Sequence, residues 1–134
     1  MKQIYTLKEP TNKILNANTL FDKIKDFNIN YNQENFILFV FDTKQTLIHS
    51  EVLFKGGLNC CMIDPKTIFR TALIKNGNTI IIAHNHPSDS LTPSQEDKQV
   101  FKKLIKIGDY LQLKVLDSII FNKFEYFSLL DGGF

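Results

Sequence analysis

Two short, uninterrupted apolar runs place the tightest limits on what this chain can fold into. They cover residues 36–41 and 79–83, and neither alternates between apolar and polar residues. Such runs are typical of strands that are buried on both faces of a sheet. Apolar residues at helical spacing predict helices over about residues 18–28, from Pro65 onward, and over about residues 94–110. Helices that alternate with buried strands indicate an α/β layered fold.

The remaining segments complete this outline. Residues 46–54 are expected to return as a second strand, and further strands are expected near residues 113–121 and 124–130. Residues 1–17 lack clear periodicity and are expected to wrap the domain as an extended arm. A chain of 134 residues has the length of one domain.

Composition narrows the function classes. No apolar run reaches membrane-spanning length and no opening segment resembles a signal peptide, so we expect a cytoplasmic protein without a membrane partner. The adjacent Cys60 and Cys61 are unsuited to a mutual disulfide and are expected to be reduced, partly buried thiols. The net charge is only +2 and Arg70 is the sole arginine, which argues against a nucleic-acid footprint without excluding one. The oligomeric state is not predicted.

A candidate metal site follows directly after the second apolar run. His84 and His86 alternate along an extended segment, so both imidazoles can point to the same side. Asp97 precedes Phe101 by four residues and Leu104 by seven, which puts it on the apolar stripe of its helix. An inward aspartate is costly unless it is paired or bound to a metal. Two histidines, one carboxylate and an open position are the ligand set of a catalytic zinc site.

An alternative interpretation of Asp97 stays open. The segment from Ser94 to Asp97 also fits the start of a helix, with Ser94 as the N-cap and an acidic residue at the third helical position. A capping acid has no need to face inward, and the two roles are compatible.

The spacing of these residues resembles a known signature. His-x-His-Pro, six residues, and then Ser-x-x-Asp is the pattern of the JAB/MPN metalloprotease (JAMM) superfamily. The form His-Asn-His-Pro-Ser resembles the RadC branch in particular, and the likeness covers about residues 33–131. It implies a single JAB/MPN-like domain over residues 33–134, with a mixed sheet flanked by helices, preceded by an arm and helix over residues 1–32. It also implies a zinc-dependent hydrolase that cleaves a peptide or isopeptide-like amide bond.

The resemblance also implies a proton-transferring glutamate at the start of the first core strand. Glu34 stands at the head of the run 36–41 and is the preferred candidate, whereas Glu51 in the second strand is the alternative. Ser94 corresponds to the serine that stabilises the oxyanion of the tetrahedral intermediate in this superfamily.

Two departures from the RadC form bear on substrate choice. Asp89 stands where RadC-type sequences usually have glycine, and Ser118 stands where they often have histidine. The expected partner is a peptide or protein substrate. Two other functions stay open: a RadC-type DNA repair or nucleic-acid-associated protein, and a catalytically silent JAMM module that binds proteins.

Overall fold

A five-stranded mixed sheet is the centre of the computed structural model, which describes residues 16–57 and 63–134. The strand order is β2-β1-β3-β4-β5, and only the β3–β4 pair is parallel. The strands are β1 (Asn35–Phe41), β2 (Leu47–Lys55), β3 (Thr79–Asn85), β4 (Lys114–Phe121) and β5 (Tyr126–Ser128). The helices are α1 (Ala17–Ile24), α2 (Pro65–Ile74) and α3 (Gln95–Leu111). The expected α/β fold with a mixed sheet flanked by helices is confirmed.

The two apolar runs are buried on both faces, as their composition predicts. Every residue of β1 and β3 is buried. Alternate residues of β1 enter different cores: Phe36 packs on the side of α2 and α3, and Ile37 packs on the side of α1. Because the sheet is covered on both sides, β1 and β3 need apolar residues at consecutive positions.

β3 extends two residues beyond the apolar run 79–83 that predicts it. His84 pairs with Phe36 of β1 and Ile120 of β4, and Asn85 pairs with Phe121 of β4. The strand therefore continues into the polar motif, because neighbours on each side extend the ladder. The first histidine is held by the sheet and the second follows it by two residues.

The helix ends follow local rules. Asp64 caps α2 by accepting a hydrogen bond from Lys66 N, with Pro65 in the first helical position. α1 is shorter than expected and ends at Ile24. The residues that follow form 3₁₀-type turns, with hydrogen bonds from Asp26 N to Lys23 O and from Phe27 N to Ile24 O.

The buried face of α3 ends on a glycine rather than on an apolar side chain. Leu111 is 44% exposed, and Gly108 takes the buried position instead. A β-carbon at Gly108 would lie 2.3 Å from the carbonyl oxygen of Leu113, so only glycine lets the helix approach the start of β4 this closely.

Two expectations fall wholly or mostly outside the described residues. These are the arm over residues 1–17, of which only residues 16 and 17 are described, and the thiols Cys60 and Cys61. In the described ranges, no helix combines the length and apolarity needed to cross a membrane.

Candidate metal centre

Three elements bring the metal-ligand residues together. β3 carries His84 near its carboxyl end, and His86 stands just beyond the strand. The chain then turns back through residues 87–94, and α3 begins at Gln95 and presents Asp97 from its first turn. The turn closes with a hydrogen bond of 2.8 Å from Asp89 N to His86 O. A strand end and a helix start thus face each other across a short loop.

The ligand atoms converge on one point. His84 Nε2 lies 3.0 Å from Asp97 Oδ1, His86 Nε2 lies 3.0 Å from Asp97 Oδ2, and the two Nε2 atoms are 3.3 Å apart. Ligand atoms bound about 2.0–2.1 Å from a tetrahedral ion are roughly 3.3–3.4 Å from one another. The donor set therefore fits a small divalent ion. Among the histidine, cysteine, aspartate and glutamate residues that the structure describes, these three are the group whose ligand atoms lie close enough together to hold one ion.

The charges of the three side chains depend on one another. The hydrogen bond to Asp97 is the main cause that raises the pKa of His86 above 6.5, against the opposing effect of burial. Burial alone would raise the pKa of Asp97, but the hydrogen bonds from His84 and His86 outweigh it and hold that pKa well below 3.8. The carboxylate thus stays ionised beside two imidazoles, which suits a site for a cation.

The other ring nitrogen of His86 is also engaged. His86 Nδ1 donates to the carbonyl oxygen of Ser90 at 2.9 Å, which leaves Nε2 for the metal point. The backbone of the loop therefore orients this ring.

Asp97 has both of the roles that its position suggests. Ser94 Oγ accepts from Asp97 N at 3.0 Å, and Asp97 Oδ2 accepts from Ser94 N at 2.8 Å, which forms a reciprocal capping box. The same carboxylate contacts both imidazoles. The cap therefore holds the side chain in the direction that the metal point requires.

A pocket of about 360 Å³ opens over the three ligands. One part of its wall is polar and contains Glu34, Ser94 and Glu96 beside the ligands. Another part is apolar. The lining residues are Glu34, Phe36, Ile63, Ile82, His84, His86, Ser88, Ser90, Thr92, Ser94, Glu96, Asp97, Val100 and Ser118. Within the described ranges, this lining has three acidic residues and neither lysine nor arginine.

The two candidate glutamates lie in different places. Glu34 is half-buried in the pocket wall, and its negative charge contributes to the raised pKa of His86. Glu51 is exposed on β2 opposite Leu38, outside the pocket, and its carboxylate lies 2.7 Å from His49 Nε2. The structure brings Glu34 and the three ligands together and leaves Glu51 apart from them.

The two departures from the RadC form have different settings. Asp89 adopts a φ of +66°, the left-handed conformation that favours glycine and that aspartate tolerates better than most residues. Its carboxylate is not part of the metal group. Ser118 is buried in β4 and lines the pocket. Of the two, Ser118 is the one that borders the pocket.

The apolar wall and one polar pair are not among the site residues that the sequence predicted. Phe36, Ile82 and Val100 appeared in the sequence as ordinary core residues, and only the packing shows that they also border the pocket. Asn35 and Asn85, the direct neighbours of Glu34 and the histidines, form a buried side-chain pair. The available signal was the identity of Asn85: a polar residue on a strand buried on both faces needs hydrogen-bond partners.

Comparisons with known proteins agree with this geometry. The family model described as RadC-like JAB domain matches residues 14–134. A UPF0758 protein of Staphylococcus haemolyticus is 36% identical over 118 residues, which cover 88% of this chain and 50% of the relative. A UPF0758 protein of Methanosarcina acetivorans is 34% identical over 128 residues, covering 96% of this chain and 56% of the relative. The chain thus spans about half the length of the curated relatives it matches.

Proposed function

The chain belongs to the RadC-like JAB domain family, and from this membership we propose that it is a zinc-dependent hydrolase of peptide or isopeptide-like amide bonds. The observation that carries the proposal is the meeting of His84, His86 and Asp97 with Glu34 in one pocket. The family belongs to a superfamily that includes metalloproteases, and the site has each part that such chemistry needs.

His84, His86 and Asp97 would hold the ion through Nε2, Nε2 and a carboxylate oxygen. Three protein ligands with an open position are typical of catalytic rather than structural zinc. Bound there, Zn²⁺ would polarise a substrate carbonyl and lower the pKa of a water molecule towards neutrality. The hydrogen bond from His86 Nδ1 to Ser90 O keeps that ring in the tautomer that metal binding requires.

Glu34 is the proposed proton carrier. Amide hydrolysis needs a group that takes a proton from the attacking water and delivers it to the leaving amine. The half-buried carboxylate of Glu34 faces the same pocket as the ligands, whereas that of Glu51 is engaged with His49 on the edge strand. Glu34 therefore meets the requirement of reach and Glu51 does not.

Ser94 is the proposed donor to the oxyanion. Its Oγ accepts the hydrogen bond from Asp97 N, so its own hydroxyl hydrogen remains free to donate into the pocket. Preorganised donors of this kind stabilise the charge that develops on a carbonyl oxygen.

The charge of the pocket favours an amide over a phosphodiester. Glu34, Glu96 and Asp97 lie in the described lining without a lysine or arginine beside them. Proteins that bind nucleic acids neutralise phosphates with cationic side chains, so an acidic pocket opposes this alternative. The apolar wall suits an uncharged side chain of a peptide. A complete ligand set beside Glu34 also argues against a silent interaction module.

The experiment combines metal analysis with cleavage of a peptide and isopeptide library. We expect the purified protein to bind one Zn²⁺ and to cleave members of the library. Glu34→Gln should keep the metal and lower kcat by about 10²–10⁴-fold, the range for loss of a general acid–base. Glu51→Gln is the matched control and should retain activity. Full activity in Glu34→Gln, or loss only in Glu51→Gln, would contradict the assignment of the base.

A further inference from the structure

Asn85 stands between the two histidines and takes no part in the metal group. Side chains alternate along a strand, so Asn85 points to the face opposite His84. It is 1% exposed. Asn35 repeats the arrangement on the neighbouring strand: it follows Glu34, faces away from the pocket and is fully buried. Glu34 and His84 are thus each followed in the chain by a buried asparagine.

The two amides bond to each other and to the turn that precedes β1. Asn85 Oδ1 accepts from Asn35 N at 2.8 Å and from Asn35 Nδ2 at 3.1 Å. Asn85 Nδ2 donates to Gln33 O at 3.0 Å and to Tyr31 O at 3.4 Å. Asn35 Nδ2 also donates to Asn30 O at 2.9 Å and to Gln33 O at 3.0 Å. Three carbonyl groups of the turn, residues 30–33, are therefore held by two side chains.

The strand register explains why this matters for Glu34. β1 and β3 are antiparallel, with Phe36 opposite His84. If this register were continued by two residues, Glu34 would stand opposite His86, although both lie just outside the paired strands. At Asn35, however, the backbone N–H donates to the Asn85 side chain. The amide pair thus takes over from the ladder at the point where Glu34 must be aligned with the ligands.

Filling this space with two amide side chains has a cost in folding free energy. Asn35 Oδ1 is the buried side-chain atom without a hydrogen-bond partner among the described residues. An unsatisfied buried polar atom costs about 1–3 kcal/mol, whereas apolar side chains of similar size avoid that cost. Apolar side chains cannot hold the carbonyl groups of the turn, so the advantage of the amides is directional rather than energetic.

We propose that the Asn35–Asn85 amide pair positions the carboxylate of Glu34 over the metal ligands, by fixing the turn 30–33 to the strand that carries both histidines. This inference rests on the proposed function of Glu34. Asn35 and Asn85 are positioning residues, because they act through Glu34 and do not face the pocket.

A double-mutant cycle tests the proposal. Asn35→Ala removes the donors to the turn without altering a neighbour of a ligand. It should lower kcat by about 10²-fold, as misplacement of a catalytic group by about 1 Å does, with KM and Zn²⁺ binding retained. In the Glu34→Gln background the same substitution should cause no further loss, because the group it positions is gone. Asn35→Asp is the conservative second variant and should also lose turnover, because it cannot donate to the carbonyl groups.

The same double-mutant cycle is also measured without substrate, from the visible absorption spectrum of the Co²⁺-loaded protein. We expect Asn35→Ala alone to cause the same spectral change as Glu34→Gln. In the double variant, Asn35→Ala should cause no change beyond that of Glu34→Gln. Asn16→Ala is the control and should leave both readouts unchanged, because it removes the asparagine that caps α1 through Thr19 N and does not line the pocket. An equal loss from Asn35→Ala in both backgrounds, or wild-type readouts in both Asn35 variants, would overturn the proposal. A wild-type protein that cleaves nothing would count against the hydrolase alone, and the Co²⁺ cycle would still decide the positioning role.

Discussion

Asp97 is partly buried and Asp117 is buried, but the two carboxylates have different hydrogen-bond partners. Asp97 lies in the pocket wall and contacts two imidazoles at 3.0 Å each. Asp117 is buried in β4 and accepts hydrogen bonds from Ser128 Oγ at 2.6 Å, Ser118 N at 2.7 Å and Leu130 N at 3.0 Å. The partners of Asp97 can share a cation with it, whereas those of Asp117 are neutral donors.

The pKa directions of the two groups follow from these partners. Burial raises the pKa of Asp117 despite its hydrogen bonds. The pKa of Asp97 is lowered because the two histidines outweigh the effect of burial. Burial of a carboxylate therefore does not by itself identify a metal site. What distinguishes Asp97 is the convergence of further ligand atoms on the same point.

The largest expected effect is on the affinity for Zn²⁺, which should depend on the cluster around Asp97 and not on the cluster around Asp117. His84→Ala removes a direct ligand and should weaken Zn²⁺ binding by more than about 100-fold, the upper range for loss of an outer partner of a ligand. Asp117→Asn should leave the affinity close to that of the wild type. Competition with a chromophoric chelator measures both variants. If they lose affinity equally, the distinction between the clusters is wrong.

The next effect concerns stability. Asp117→Ala leaves two buried donors and one partly buried donor without their acceptor and should lower the free energy of unfolding by about 2–4 kcal/mol. Urea unfolding of the metal-free protein measures the change. Asp131→Ala is the matched control: this neighbouring aspartate is exposed, and the hydrogen bond from Asp131 N to Ser128 Oγ uses only its backbone. A stability loss as large in the control would show that Asp117 has no special role.

The smallest effect is a pH window in the metal-free protein. The lowered pKa of Asp97 adds stability that is complete above 3.8 and is lost as the pH falls below it. The raised pKa of His86 adds stability that is complete below 6.5 and is lost as the pH rises through its raised value. The ion pair should therefore contribute most between pH 3.8 and 6.5. Urea midpoints against pH should show this maximum in the wild type and a flatter profile in Asp97→Asn; matching profiles would refute the ion-pair contribution.

Much of the fold could be predicted because its signals are local. The continuous apolar runs of β1 and β3 require cover on both faces, and Asp64 and Ser94 cap the helices that follow them. The buried glycine near the end of α3 has no such local signal. The inward position of Gly108 depends on how closely the helix approaches β4, and no periodicity of apolar side chains can show that.

The candidate site divides in the same way. The spacing of His84, His86 and Asp97 could be interpreted from strand alternation and helix phase, which need only neighbouring residues. The choice between Glu34 and Glu51 could not, because Glu34 directly precedes β1 and Glu51 lies on β2, the antiparallel neighbour of β1. Only the three-dimensional arrangement puts Glu34 in the pocket and Glu51 beside His49 on the edge strand.

The sequence by itself therefore determined the layered fold, the candidate ligand set and the helix cap that orients Asp97. Their causes are periodicity, side-chain alternation and capping, which act over a few residues. The tertiary structure decided which glutamate joins the ligands, which apolar residues border the pocket, and that Asn35 and Asn85 meet across 50 positions of chain. Those contacts depend on strand register and packing, which bring together residues that no local pattern relates.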